Sequence, residues 1–163
     1  MYERLWYELV GKLFQKFYLL VQIKKIETQN KWIENGLLLT SFASIGGIFK
    51  YVECSILFGW ILLFINGFRL IKSKFMVSDS ELSALKSSLE FYIDHTRKLE
   101  KLWREVKKEK IDDDEAESQL DALKDDERVM MKINKHEMLE RKEPMNSKAL
   151  ELSKQQLNII KNG

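Results

Sequence analysis

Two histidines, one cysteine and one acidic run are the side chains in this chain with the widest chemical reach. His95 lies between Asp94 and Arg97, and His136 sits in a charged stretch. A nucleophile needs a base within reach, and no serine, cysteine or threonine is paired with one in a recognisable motif. Arg97 follows His95 instead of preceding it, and Arg128 stands eight residues before His136. The arginine-then-histidine order and spacing of a helical ribonuclease is therefore missing. Asp112-Asp113-Asp114-Glu115 lacks the glycine and alternating ligands of a calcium loop, and reads as a helix N-terminal cap. Cys54 is the only cysteine, which excludes an internal disulfide and a multi-cysteine metal site. No glycine-rich phosphate loop is visible. The expectation is a protein without catalytic residues, metal or cofactor, with both histidines on the surface.

The elements that would position such residues say more. The chain has 163 residues, 45% hydrophobic and 32% charged, but the two classes are segregated. From Gly36 to Phe68 only Lys50 and Glu53 are charged, whereas residues 77–163 hold 17 basic and 20 acidic side chains. Five of the seven glycines lie between Gly36 and Gly67, and Pro144 is the single proline. Long helices are expected elsewhere. No signal peptide is visible in the charge-studded first 30 residues.

Residues 1–31 carry an amphipathic helix, with Leu5, Leu9, Leu13, Phe17 and Leu20 at helical steps and Lys12 and Lys16 among them. It either packs on the rest of the protein or lies partly in a lipid headgroup layer. Residues 32–76 contain two apolar runs, Gly36–Phe49 and Cys54–Phe68, joined by Lys50-Tyr51-Val52-Glu53. Each falls short of the roughly 20 residues of a comfortable span. Extended by Trp32 and Glu34, and by Arg69 and Lys72, each reaches about 18 residues, or ~27 Å of helix. A two-span transmembrane hairpin is expected. Lys24, Lys25 and Lys31 precede it and Arg69, Lys72 and Lys74 follow it, which puts both termini in the cytoplasm.

Small and polar residues mark the faces of the two spans. Gly36, Thr40, Ser44 and Gly47 fall on one face of the first; Ser55, Gly59 and Gly67 share a face of the second, with Leu63 between them. Such residues let helices approach closely in lipid. Asn66 is the only amide side chain in the uncharged runs, and must either bond across the hairpin or line a hydrated path.

Residues 77–163 read as a cytoplasmic helical domain. Ser78-Asp79-Ser80-Glu81 fits a capping box. A heptad follows, with Leu82, Leu89, Thr96 and Trp103 at one seam position and Leu85, Tyr92, Leu99 and Val106 at the other. That coiled-coil-like seam should pack on another helix, from the same chain or a second copy. A second helix over 114–142 should turn Leu120, Leu123, Met130 and Ile133 inward, antiparallel to the first. Asn146 or Ser147 is expected to cap a short last helix with Leu150, Leu157 and Ile160 on one side. The fold class is an all-α membrane protein.

This order of parts resembles the SLATT group of small two-transmembrane proteins. The likeness lies in the aromatic helix Tyr2-Glu3-Arg4-Leu5-Trp6, the short hairpin, the Leu- and Trp-containing helix, the acidic turn and the Pro144-Met145-Asn146-Ser147-Lys148 tail. It covers most of the chain and is architectural. It implies an effector of bacterial defence against phage at the inner membrane. Such an effector makes pores or disrupts the bilayer when a sensor protein or a cyclic nucleotide switches it on. The partners to expect are lipid, further copies of the chain and that activator, with no direct binding of DNA or RNA. Two other readings stand beside it: a membrane-anchored adaptor that does not conduct, and a phage holin, against which the long charged tail argues. Depolarisation on overproduction separates effector or holin from adaptor.

Overall fold

The computed structural model describes the backbone of residues 1–50, 59–61, 63–67, 76–133 and 143–162, and their side chains apart from 43–50, 131–133 and 143–144. The fold is all-helical among these residues. Helix α1 runs Tyr2–Lys50, α2 Asp79–Lys107, α3 Asp113–Ile133 and α4 Glu143–Asn162. Residues 59–61 and 63–67 are helical as well. The chain divides into two compact units, Met1–Ile23 with Ser83–Gly163, and Lys24–Leu82.

Helix α1 passes through residues 31 and 32 without a break, so the amphipathic helix and the beginning of the first apolar run are one element. No proline or glycine stands between Gly11 and Gly36 to interrupt it. The ends of the other helices are set by local chemistry. At the start of α2 the Ser78 amide donates to Glu81 Oε2 (3.0 Å) and the Glu81 amide donates to Ser78 Oγ (3.2 Å), a reciprocal capping box. At its end Glu109 takes a left-handed conformation (φ 53°). The Lys110 amide then reaches back to the Glu105 carbonyl and the Glu109 amide to that of Val106, closing a Schellman turn. Asp112 caps α3 through a bond from the Glu115 amide to its Oδ1 (2.8 Å), as its acidic run suggests.

The first unit is a bundle of four helices. Ion pairs between Met1 and Asp113, Arg4 and Glu117, Glu8 and Lys124, and Lys12 and Glu127 advance together along α1 and α3, so these run parallel. Helix α2 is antiparallel to both: Trp6 packs at a tilt beside Trp103, Tyr92 and Lys12 meet on Glu127, and Lys98 pairs with Asp126. Helix α4 also opposes α1, with Met145 and Ala149 beside Tyr18, and Lys16 donating to Gln156 Oε1 (2.8 Å). The core is made of Leu5, Leu9 and Leu13 from α1, Leu99, Leu102 and Trp103 from α2, Ala116, Leu120 and Leu123 from α3, and Ile160 from α4. Each large side chain so enclosed contributes about 1.5–3 kcal/mol of transfer free energy. Tyr2 and Trp6 lie 5.4 and 5.2 Å from the Trp103 ring.

The bundle corrects several expectations. His95 is buried at 3% exposure, because it sits one residue from the seam on the side that α1 and α3 cover. Helix α4 begins at Glu143, with Pro144 in its first turn, where the missing amide hydrogen costs nothing. Asn146 and Ser147 are thus inside the helix and not its caps. Its inward face is Met145, Ala149, Ser153 and Ile160, with Leu157 packed at the core's edge, while Leu150 is exposed. That stripe follows steps of about one turn from Met145, a register one residue away from Leu150. Helix α3 is described only to Ile133, and Ile133's side chain and His136 lie outside the described residues.

Candidate functional site

In the second unit, the Asn30 side-chain amide donates to the Val77 carbonyl at 3.1 Å, across 47 residues of sequence. The chain therefore leaves α1 and returns beside it before α2 begins, the closure a hairpin requires. Beyond Asn30 the polar groups of α1 turn back on their own helix. Thr40 Oγ1 donates to the Gly36 carbonyl (2.8 Å), and Ser41 Oγ donates to that of Leu37 (2.6 Å). A hydroxyl satisfied in this way makes little demand for water.

Large apolar side chains of this unit point outward. Trp32, Phe42 and Phe64 are 75%, 72% and 75% exposed, and Leu38, Leu39, Trp60 and Leu63 are exposed beside them. Inward burial is confined, among the described residues, to Ile26 and Ile65. The small residues singled out in the sequence are open: a methyl group at Gly36, Gly59 or Gly67 would meet nothing within 4 Å. Asn66 and Thr40 are exposed, Asn66 next to the buried Ile65. No close approach of helices among the described residues of one chain uses these glycines. The side chain of Ser44 and the surroundings of Gly47 and Ser55 lie outside the described residues. Among the described residues, no helix is long and apolar enough to cross a membrane. Much of the second apolar run, Cys54–Phe68, is not among them.

The seam of α2 faces its own chain. Thr96, Leu99 and Trp103 are buried, and Leu82, Leu85, Leu89, Tyr92 and Val106 are partly buried. Thr96 places its hydroxyl on the Tyr92 carbonyl (2.8 Å), so a polar seam residue is satisfied locally. The upper seam from Tyr92 to Val106 is filled by α1, α3 and α4 rather than left for a second copy.

The seam also contributes to a buried polar cluster that periodicity did not reveal. Lys12 Nζ lies 2.6 Å from each carboxylate oxygen of Glu127. Tyr92 donates its phenolic hydrogen to Glu127 Oε1 at 3.2 Å. Burial, reinforced by that carboxylate, pushes the Tyr92 phenol well up, so it remains a donor. His95 stacks on Phe91 at 5.3 Å. Burial holds its imidazole below the usual range; Lys12 and Lys98 reinforce this, while Glu127 and Asp126 oppose it. One signal was present: Lys12 falls inside the Leu5-Leu9-Leu13 stripe, where a lysine needs an anion.

The cluster is enclosed and holds no serine or cysteine nucleophile. No group of three or more potential metal ligands occurs among the described residues. Surface hollows of about 330 Å³ lie elsewhere, one along α2 from Arg97 to Lys110 and one between Phe17, Arg104 and Ile160. The feature with the clearest functional bearing is the outward apolar surface of the second unit. No protein-family profile, curated protein or solved structure matches the chain, so that surface and the bundle must carry the functional reading.

Proposed function

We propose that this chain is an oligomeric membrane effector. Residues 32–76 enter a bilayer as a two-span hairpin with both termini on the cytoplasmic side, and gathered hairpins form a conducting path. The observation that carries this is the outward display of Trp32, Leu38, Leu39, Phe42, Trp60, Leu63 and Phe64 from one small unit. Surfaces of this kind are rare on proteins that meet only water and mark contact with membrane or partner. The Asn30–Val77 closure and the self-satisfied Thr40 and Ser41 support lipid as the medium. From Trp32 to Lys50, α1 supplies about 28 Å of unbroken helix, close to the thickness of a hydrocarbon core.

The open small residues and the exposed Asn66 support assembly between copies, since the described residues of one chain leave them uncovered. The SLATT-like order of parts supports a place in bacterial anti-phage defence at the inner membrane, with a sensor or cyclic nucleotide as activator. The test is membrane potential in cells overproducing the protein together with its activator. The parent should depolarise them. Asn66→Leu should abolish depolarisation while insertion and oligomer size are kept if the amide lines the path, and should lose assembly as well if it ties helices together. A parent that inserts but never alters the potential would replace this reading with a non-conducting anchor for an adaptor.

A further inference from the structure

The bundle carries two charge stripes of opposite sign with the same spacing. Along the end of α2 and into the turn after it, Arg97, Lys101, Arg104 and Lys108 recur at steps of four, three and four residues; on α3, Asp114, Ser118, Asp121 and Asp125 repeat those steps. All of these residues are solvent-exposed except Arg104, which is half-buried. The basic stripe borders the hollow along α2, which Lys110 also lines together with Glu100 and Glu105, so five basic side chains face two acidic ones there. Residues 97–110 hold seven basic and three acidic side chains; α3 holds eight acidic and three basic. Each stripe is ~17 Å long at helical rise.

The stripes are only partly paired within the chain: Arg104 holds Glu100 at 2.7 Å one turn back on the same helix, and the other pairs are looser or water-exposed. Arg97–Asp94 and Arg128–Asp125 are water-exposed pairs between near neighbours on one helix, at 3.5 and 2.9 Å, and Lys101–Glu105 joins an exposed lysine to a partly buried glutamate at 3.8 Å. Pairs of this kind hold each other weakly and exchange readily. Asp114, Asp121, Lys108 and Lys110 have no ion pair among the described residues. Within one molecule the ion pair between α2 and α3 among the described residues is Lys98–Asp126 (3.9 Å), which uses a residue of neither stripe. The stripes can meet between molecules. A contact of one surface with a different surface is head-to-tail, and repeats into a ring where the rotation closes and into an open filament where it does not.

We infer that the acidic stripe of α3 docks in the basic hollow along α2 of a second copy of this chain, and that this contact joins bundles head to tail. The inference rests on the oligomeric reading above and names its interface. It also explains how copies gather although the α2 seam is occupied internally.

The test uses the full chain in detergent, with mass measured by sedimentation. The double variant Asp114→Lys/Asp121→Lys should sediment as a protomer while the parent forms oligomers. Lys101→Glu/Lys108→Glu should do the same. Two combinations give the decisive results. Mixing the two double variants should restore oligomers, because each then offers the stripe the other needs. Placing all four reversals in one chain should also restore them. Raising salt should dissociate the parent, since exposed charges are screened within about 8 Å at physiological ionic strength and less at higher salt. Helix content measured alongside identifies any variant that has unfolded, and the mixture and the fourfold variant then still decide the matter. Oligomers that survive both double variants overturn this interface but leave assembly through the hairpin standing. Folded double variants that dissociate and are rescued by neither combination overturn it too. A parent that sediments as a protomer with its activator present overturns the oligomeric reading itself.

Discussion

Lys12 and Glu127 hold opposite charges in the bundle at 14% and 8% side-chain exposure. Removing one partner from such a pair leaves an uncompensated charge, typically at a cost of about 3–5 kcal/mol, while replacing both with apolar groups is often neutral. Glu127→Leu should therefore lower stability by about 3 kcal/mol or more. Lys12→Met/Glu127→Leu should recover most of that loss in a denaturant melt. Losses that simply add would show that the two side chains are not coupled.

His95 gives the same cluster a pH dependence with a definite sign. The unfolded imidazole takes up a proton near pH 6.5, whereas burial keeps the folded one neutral to lower pH. The unfolded state then binds more protons, so stability drops as pH falls from about 6.5 toward the depressed folded value. The slope is at most about 1.4 kcal/mol per pH unit for one group. Melting temperatures at pH 7.5 and 5.5 should differ less for His95→Gln than for the parent. An equal difference would assign the effect to the carboxylates. Neither Glu127 nor His95 could be identified as buried from sequence spacing, because α3 is acidic on several faces and α2 is charged on both sides of His95. What buries them is the choice of neighbours, which is made at long range.

At the scale of the helix, two residues sit in conformations that suit another residue type better. Gly11 lies inside α1, and a methyl group added there would meet nothing within 4 Å, so the glycine contributes backbone freedom without packing. Gly11→Ala should stabilise by about 0.5–1 kcal/mol. Glu109 carries the reverse penalty at φ 53°, and Glu109→Gly should relieve roughly 1 kcal/mol of left-handed strain, less the added freedom of the unfolded chain. Both changes should raise the melting temperature. A decrease for Glu109→Gly would show that its side chain does more than tolerate the turn.

The helix ends show what local sequence can and cannot reveal. Ser78, Glu81 and Asp112 announce their caps because the partners lie three residues apart. Pro144 is ambiguous in isolation: proline stops a preceding helix and also opens a following one. Taken as an end mark alone, it displaces the start of α4 and shifts its apolar face by one position, which is how Leu150 comes to be expected inside.

Across the whole molecule, helical periodicity, scarce proline and segregated charge were enough to forecast an all-helical chain with an apolar middle. The four-helix arrangement was not legible. A heptad reports that a seam exists, but not whether a neighbouring copy or the chain's own helices fill it. Here Leu5, Leu9, Leu13 and Ile160 are among those that fill it, from opposite ends of the sequence. The small-residue faces were legible as patterns, yet only the structure shows the open space around Gly36, Gly59 and Gly67.

The division of the bundle has a consequence for biosynthesis. Residues 1–23 supply one helix of the bundle, and the core it packs against is encoded after residue 82. A ribosome making this protein exposes Leu5, Leu9 and Leu13 first, then translates the whole apolar middle, and only afterwards delivers Leu99, Trp103 and Leu120. The nascent N-terminal helix must wait with its leucine stripe uncovered, since long-range contacts cannot form before their partners exist. The middle segment therefore meets its surroundings before the bundle can close, and vectorial synthesis alone gives any contact it makes there a head start over closure of the bundle.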